Sequence, residues 1–326
     1  MGVSKLLSEW LTVLFRAVVS TCLPPRDWCV LRTVLLFKKG DISDFSCYRP
    51  ITISNIIAKV FHMWLNKCIM EWVLDNKALE PEQTGFLPLH STSENVMVLQ
   101  TIIKSMDEKR KKLFLGFIDF KGAYDSVPHA LLCENLRMRG MGDAAIMLIL
   151  NLMVNNTTRI QVKDGVTEPI EMKSGCPQGC PQGCPWSPVI FSLFIDILIK
   201  SIKSESTGVM GVPILGYADD ICMVQPSLTD LQKWFNLLQE FCAVSTMSVN
   251  LAKGKTEYMV FHDKRLKELR FREGVVRETS EYRYLGFDIA SKKGLPKVST
   301  RSMIESVKRG SEDVLHCLGV NLVFHP

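Results

Sequence analysis

The chain has 326 residues, of which 47% are hydrophobic, 22% charged and 9% aromatic. These proportions exclude a disordered or collagen-like chain, and the length predicts about two domains. The apolar runs are shorter than the roughly 18–20 residues that a membrane helix requires, and the start matches neither a signal peptide nor a myristoylation pattern. We therefore expect an intracellular protein of the nucleus or cytoplasm, which is not secreted and has no transmembrane segment.

The net charge of +5 is distributed unevenly along the chain. Residues 1–112 carry +4, residues 113–260 carry −3 and residues 261–326 carry +4. An acidic centre between basic ends suits a protein that collects metal cations centrally and holds a polyanion on both sides. Each imbalance is small enough to arise by chance, so the charge pattern alone decides nothing.

The first predicted elements lie between residues 55 and 119. Apolar residues at helical spacing predict a helix over 55–75. Ser91 and Glu94 have the spacing of a capping box, which predicts that a second helix starts there and runs to the basic cluster at 109–112. An apolar run rich in Phe and Leu then predicts a buried strand over 113–119.

The remaining predicted elements keep this mixture of helices and strands. In chain order they are a helix over 128–140, a helix over 143–154, a hairpin of 157–163 and 166–172 around an Asp-Gly turn, a loop rich in Pro, Gly and Cys, a helix over 187–202, a hairpin of 212–217 and 221–225, a helix over 229–246 capped by Ser227, strands over 257–261 and 284–289, and a mostly helical final forty residues. The mixture predicts an α+β protein.

Three aspartates fall where the predicted strands end. Asp119 ends the buried strand, and Asp219 and Asp220 form the tip of the apolar hairpin. Adjacent carboxylates repel each other unless a cation neutralises them, although a lone Asp-Asp pair in a turn is more commonly just solvated. Two divalent ions about 3.5–4 Å apart would neutralise them and would also clamp an attacking hydroxyl and a leaving pyrophosphate. Mg²⁺ suits such oxygen ligands.

Several motifs occur together in an order typical of one family. They are Lys38-Lys39-Gly40-Asp41, Tyr48-Arg49-Pro50-Ile51, Gln83-Thr84-Gly85-Phe86, Asp119-Phe120-Lys121-Gly122-Ala123-Tyr124-Asp125, Gln182-Gly183-Cys184-Pro185-Trp186-Ser187-Pro188, Tyr217-Ala218-Asp219-Asp220, Asn250 with nearby lysines, and Tyr284-Leu285-Gly286. With these motifs the chain resembles the reverse transcriptase domain of non-LTR (LINE-type) retrotransposons over roughly residues 24–290.

The resemblance implies a right-hand polymerase fold, with fingers over 1–112, a palm with an antiparallel sheet over 113–260, and a primer-grip region with a truncated thumb over 261–326. It implies an RNA-directed DNA polymerase of a non-LTR retrotransposon or of a fragment of one. The expected partners are an RNA template, a DNA primer and dNTPs, but no membrane; protein partners are not identified. The alternatives are a decayed, inactive relative that still binds nucleic acid and an RNA-dependent RNA polymerase.

The resemblance also assigns roles to individual residues. Asp119 and Asp219 are expected to hold two Mg²⁺ ions, for which Mn²⁺ could substitute, with Asp220 as a companion acid. Tyr124 is expected to exclude a ribose 2′-hydroxyl, unless it is simply a core aromatic residue. The other assigned residues are Lys38 and Arg49 at the triphosphate, or alternatively on the solvated surface, Gln182 and Gly183 under the nucleotide, and Tyr284, Leu285 and Gly286 in the primer grip.

The chain departs from the family pattern at three places. The Gly-Cys-Pro-Gln sequence is duplicated within 175–184; we take Gln182-Gly183 as the working copy because Ser187-Pro188 follows at the family spacing. Leu87 stands where many relatives carry Arg. The segment 250–256 is two residues longer than the usual Asn-x-x-Lys-Thr, so Lys253 and Lys255 compete for the role of the lysine near the pyrophosphate.

Overall fold

A computed structural model describes residues 2–37, 40–154, 156–162, 165–171, 184–263, 268–272 and 274–291. Three expectations lie outside these residues: the contribution of Lys38, that of Gln182-Gly183 with the duplicated segment, and the helices expected after residue 291. The chain divides into two units. Unit 1 comprises residues 1–88, 120–201 and 240–248, and unit 2 comprises residues 89–119, 202–239 and 249–326.

Helices and strands are interspersed along the described chain. The helices are α1 (Gly2–Thr21), α2 (Ile56–Asp75), α3 (Thr92–Glu108), α4 (His129–Met138), α5 (Asp143–Met153), α6 (Ser187–Glu205) and α7 (Leu228–Ser245). The strands are β1 (Val30–Phe37), β2 (Tyr48–Ile53), β3 (Leu113–Ile118), β4 (Thr157–Val162), β5 (Gly165–Val166), β6 (Ile170–Glu171), β7 (Ile214–Tyr217), β8 (Asp220–Gln225), β9 (Glu257–Phe261), β10 (Leu269–Phe271), β11 (Gly274–Glu278), β12 (Glu281–Tyr284) and β13 (Phe287–Ala290).

The predicted helices from residue 55 to residue 246 are confirmed within a few residues. The prediction of one strand over 284–289 is wrong, because Leu285 and Gly286 adopt positive φ angles of 49° and 88° and turn the chain back. The capping box is also wrong in its chemistry. Ser91 is the N-cap residue of α3 but its side chain makes no capping hydrogen bond, and Glu94 instead pairs with His90 at 2.7 Å.

Unit 1 contains a sheet in the order β2-β1-β4-β5, with β6 paired to β4. Strand β1 is antiparallel to β2 and parallel to β4. Helix α2 buries Phe61, whose ring lies 5.2 Å from that of Trp28 and 5.0 Å from that of Phe15 on α1. This aromatic cluster anchors the two long helices in unit 1, since large buried rings contribute much of the packing energy of a core.

Unit 2 is built around β3, whose six residues are all buried. The sheet order is β10-β11-β9-β3-β8-β7, and its pairings are antiparallel except that of β9 with β11, which is parallel. Residues of α3 pack on β3 in one hydrophobic cluster. On Gly116 of β3, an added Cβ would lie 2.9 Å from Leu231 and 3.3 Å from Phe235 of α7, so glycine permits close packing there. Because both faces of β3 are covered, its sequence is continuously apolar.

None of the helices in the described part of the chain combines the length and the apolar composition that a membrane crossing requires.

Candidate active site

The three aspartates meet at one end of the sheet in unit 2. Ile118, the last residue of β3, pairs with Ile221, the second residue of β8. Asp119 directly follows Ile118, and Asp220 directly precedes Ile221, so in an antiparallel pair both leave the strands at the same end. Asp219 precedes Asp220 in the turn of the β7–β8 hairpin. Residues distant in sequence are thereby brought together by strand register.

The electrostatics of Asp220 reflect these neighbours. Its pKa is raised to about 6, chiefly through desolvation by the surrounding protein, then through repulsion from Asp219 and Asp119, whereas Lys255 lowers it. Asp220 is nevertheless an exposed residue. The repulsion between carboxylates is therefore the firmer basis for the direction of the shift, because solvent contact limits desolvation. A cation near these three acids would relieve that repulsion.

The turn that carries Asp219 is strained at the residue before it. Ala218 has a φ of 53° and is almost fully buried. A left-handed conformation costs a residue with a Cβ roughly 1–2 kcal/mol relative to the ordinary helical region. Such strain persists where the surrounding structure imposes it, and it is found preferentially at functional sites.

Of the two competing lysines, Lys255 is the one that contacts an aspartate. Its Nζ atom lies 3.1 Å from Oδ1 of Asp119, and both side chains are partly exposed. Lys253 lies on the exposed surface of the same loop. The loop turns at Gly254, which has a φ of 75° and whose N–H donates to Oε1 of Glu257 at 2.7 Å.

The backbone of Asp119 is held by the same loop. The hydroxyl of Thr256 accepts a hydrogen bond from the Asp119 N–H at 3.0 Å and lies 3.3 Å from the Asp119 carbonyl oxygen. The N–H of Asn250 donates to that carbonyl at 2.8 Å. Thr256 is fully buried. The sequence placed Asn250 and Thr256 in one motif but did not predict that they hold the backbone of Asp119. The available signal for this role was their position in the segment 250–256.

The expected primer-grip residues lie in the β12–β13 hairpin of unit 2. Tyr284 is buried, its hydroxyl donates to the Leu215 carbonyl at 3.4 Å, and burial raises its pKa well above the usual value. Leu285 and Gly286 form the turn. Tyr284 therefore contributes to the core, while the turn residues lie nearer the surface. Sequence reasoning did not single out Tyr282, two residues earlier, although it contacts the loop of Lys255.

Two expected nucleotide-binding residues are described within unit 1. The ring of Tyr124 is half-buried and stacks on Phe191, with the centroids 4.5 Å apart and an angle of 25° between the planes. Arg49 lies on β2, where its backbone pairs with that of Leu36. Their roles at a nucleotide remain predictions.

The acidic cluster has the chemistry of a divalent-cation site. Carboxylate oxygens are the ligands that Mg²⁺ prefers, and mutual repulsion at Asp220 indicates negative charge that a cation could neutralise. Among the described residues, no three His, Cys, Asp or Glu side chains are arranged to hold a metal ion as they stand. Asp119 is paired with Lys255. The carboxylates are thus donors of the kind that Mg²⁺ takes, but in this structure they do not converge on a metal position.

Comparison with known proteins identifies the class to which this fold and site belong. Residues 37–289 match the family model described as reverse transcriptase (RNA-dependent DNA polymerase). A structure of telomerase from Candida tropicalis in complex with a fragment of telomeric RNA aligns over 84% of this chain and 45% of that one, with a TM-score of 0.59 and 12% identity. The structural likeness confirms the expected α+β polymerase fold.

The chain belongs to the reverse transcriptase family, and its relatives are of the non-LTR retrotransposon type. It is 30% identical over 235 residues to the Pol polyprotein of the type-1 retrotransposable element R2 of Popillia japonica, covering 70% of this chain and 32% of the relative. It is also 22% identical to the Pol polyprotein of the type-2 retrotransposable element R2DM of Drosophila melanogaster, covering 82% of this chain and 26% of that relative. The chain thus spans about a third or less of the length of these relatives. The reverse transcriptase family generally uses divalent metal ions.

Proposed function

We propose that this chain is an RNA-directed DNA polymerase domain of a non-LTR retrotransposon, or of a fragment of one, that extends a DNA primer on an RNA template. The observation that carries the proposal is the register of β3 and β8, which brings Asp119 and Asp220 to the same strand ends beside Asp219. Membership of the reverse transcriptase family supports the same reaction.

In the proposed reaction, the primer 3′-hydroxyl releases its proton to solvent, its oxygen forms a bond to the α-phosphorus of a dNTP, and the bond to pyrophosphate breaks. Asp119 and Asp219, with Asp220 beside them, would hold two Mg²⁺ or Mn²⁺ ions. Such ions supply charge neutralisation at the attacking and leaving oxygens. Lys255 offers a mobile point charge suited to pyrophosphate oxygens, and its proximity to Asp119 favours it over Lys253 for this role.

The remaining residues would position the substrates. In this proposal Lys38 and Arg49 hold the triphosphate, Gln182-Gly183 lies under the nucleotide, and the hairpin turn at 285–286 contacts the primer. A rate enhancement in phosphoryl-group chemistry comes mainly from positioning and electrostatics, so each of these contacts serves orientation.

The primary test is primer extension on poly(rA)/oligo(dT) with dTTP and Mg²⁺, with template binding measured in parallel by fluorescence anisotropy. We expect extension that EDTA abolishes. Binding without extension would favour the alternative of a decayed relative that retains only nucleic-acid affinity, and extension with UTP in preference to dTTP would favour an RNA polymerase.

The sugar preference tests Tyr124. Replacing it by Val removes the ring that is proposed to exclude a 2′-hydroxyl, and a clash with the wrong substrate is a source of discrimination. The preference for dTTP over UTP should therefore fall about tenfold or more, which corresponds to about 1.4 kcal/mol. Phe191→Leu is the matched control, because it disturbs the partner ring in the stack without removing Tyr124. Unchanged discrimination in Tyr124→Val would show that Tyr124 is only a packing residue.

A further inference from the structure

Tyr282 of β12 contacts Lys255 and the strand that ends next to its partner Asp119. Its hydroxyl donates a hydrogen bond of 2.7 Å to the main-chain carbonyl of Lys255. Its ring stacks on that of Phe117, with the centroids 4.0 Å apart and the planes within 7° of parallel. All four residues belong to unit 2. The hairpin β12–β13 thus contacts the lysine and the strand that ends at Asp119.

The stacking fixes the direction of the hydroxyl. Phe117 is fully buried in β3, two residues before Asp119, so it provides a rigid surface for the Tyr282 ring. A carbonyl oxygen can only accept, so the tyrosine must be the donor. Its geometry is therefore set by the same strand that positions the carboxylate.

The hydrogen bond restrains a short part of the backbone. The residue after Lys255 is Thr256, and it is hydrogen-bonded to the backbone of Asp119. On the other side, the N–H of Lys255 donates to the carbonyl of Ala252 at 3.1 Å. Between these two anchors, the Tyr282 hydroxyl holds the carbonyl of the residue whose ammonium reaches Asp119.

We propose that Tyr282 is a positioning residue that orients Lys255 toward the carboxylates for nucleotide transfer. The proposal rests on the polymerase function proposed above. Tyr282 acts through Lys255 and does not itself touch the substrate. The alternative is that Tyr282 contributes only to the packing of unit 2, as a tyrosine stacked on a buried phenylalanine would in any sheet protein.

The variant Tyr282→Phe separates these roles because it keeps the ring and removes only the hydroxyl. The Lys255 carbonyl lies near the surface, so water can replace the lost donor and thermal stability should change little. Lys255 would nevertheless be less well oriented. We expect kcat for extension to fall about fivefold, as for the loss of one ordinary hydrogen bond, with KM for the template–primer unchanged.

Tyr258→Phe is the matched control. It also removes one phenol hydroxyl from unit 2, but that hydroxyl lies 3.5 Å from a carboxylate oxygen of Glu278. We expect its kcat to equal that of the unaltered chain. An equal loss of kcat in both tyrosine variants would overturn the proposal, because it would show a general effect of weakening this unit.

A double-mutant cycle tests whether Tyr282 acts through Lys255. In a Lys255→Met background, Tyr282→Phe should cause no further loss of kcat. A fivefold loss in both backgrounds would refute positioning through the lysine. If the unaltered chain extends the primer and Tyr282→Phe has an unchanged kcat, this inference alone is overturned. If the unaltered chain does not extend the primer, the proposed function is overturned and this inference with it.

Discussion

Two hairpins of unit 2 reverse the chain with the same number of residues but differ in what their turns can carry. The β7–β8 hairpin closes between Tyr217 and Asp220, and the β12–β13 hairpin closes between Tyr284 and Phe287. In each, the first turn residue is not glycine yet has a positive φ, 53° at Ala218 and 49° at Leu285. The hairpins diverge at the second turn residue.

The second turn residue decides whether a functional side chain can stand there. In β12–β13 it is Gly286 with a φ of 88°, the pattern of a type I′ turn, in which both central residues are left-handed. In β7–β8 it is Asp219, whose φ is not positive. Because that position does not need glycine, it can hold a carboxylate. The first hairpin thus presents an acid, while the second offers a turn and a supporting tyrosine.

The largest expected effect comes from removing the acid of the first hairpin. Asp219→Asn should lower primer extension about a thousandfold or more, because an amide cannot supply the negative charge that a cation needs. Template binding and thermal stability should stay close to those of the unaltered chain. The measurement is single-turnover extension alongside anisotropy and thermal unfolding.

The matched control lies on the second hairpin. Asp288 is an exposed residue of β13 opposite Arg283, so Asp288→Asn makes the same chemical change outside the proposed site. Its extension rate should be unchanged. Equal losses in Asp219→Asn and Asp288→Asn would mean that the two hairpins do not differ in function as proposed.

A smaller effect concerns the pH dependence of stability in the absence of divalent ions. The pKa of Asp220 is raised from 3.8 to about 6 in the folded chain, so between about pH 4 and pH 6 the folded state binds a proton that the unfolded state lacks. Stability should therefore fall as the pH rises through this window. Asp220→Asn removes this dependence.

The measurement is thermal unfolding in EDTA at a series of pH values. Asp220→Asn should unfold about 2 °C higher than the unaltered chain at pH 7.5. An exposed acid retains only part of its pKa shift, and that part changes the free energy of unfolding by about 1 kcal/mol. The difference should vanish near pH 4. A difference that grows toward acid pH would contradict the stated sign and indicate that Asp220 is stabilised in its charged form.

The same comparison shows what the sequence could and could not predict. The position of the carboxylates was predictable, because Asp119 follows a continuous apolar run and Asp219-Asp220 separates two others, so local pattern sets both strand ends. The turn at Leu285-Gly286 was missed, because a buried Tyr284 and Phe287 on either side resemble one continuous strand. A leucine in the left-handed region is rare, so Gly286 alone was a weak signal for the reversal.

Contacts between distant segments were the least predictable part of the site. The choice of Lys255 over Lys253 depends on how the segment 250–256 wraps Asp119, and the sequence of two lysines separated by a single glycine cannot reveal this. Tyr282 reaches a carbonyl 27 residues away and a ring on β3, and neither contact leaves a periodic signal in the sequence. Such contacts are set by tertiary packing and follow only from the folded arrangement.

The smallest expected effect tests the backbone difference between the two turns. Gly286→Ala should lower the free energy of unfolding by about 0.5–1 kcal/mol, measured by urea denaturation. An added Cβ at Gly286 meets no atom within 4 Å, so the cost comes from the φ of 88° and not from a clash. Part of that cost is offset, because alanine has fewer unfolded conformations to lose than glycine.

Ala218→Gly is the reciprocal change in the first hairpin, and its effect should stay within about 0.5 kcal/mol. Glycine relieves left-handed strain of roughly 1 kcal/mol, but it loses a buried methyl group worth about 0.8 kcal/mol and gains unfolded-state freedom. Opposing terms of similar size nearly cancel. If Ala218→Gly instead stabilised the chain by more than about 1 kcal/mol, the turn before Asp219 would hold more strain than a left-handed residue ordinarily does, and the near-cancellation argued here would be wrong.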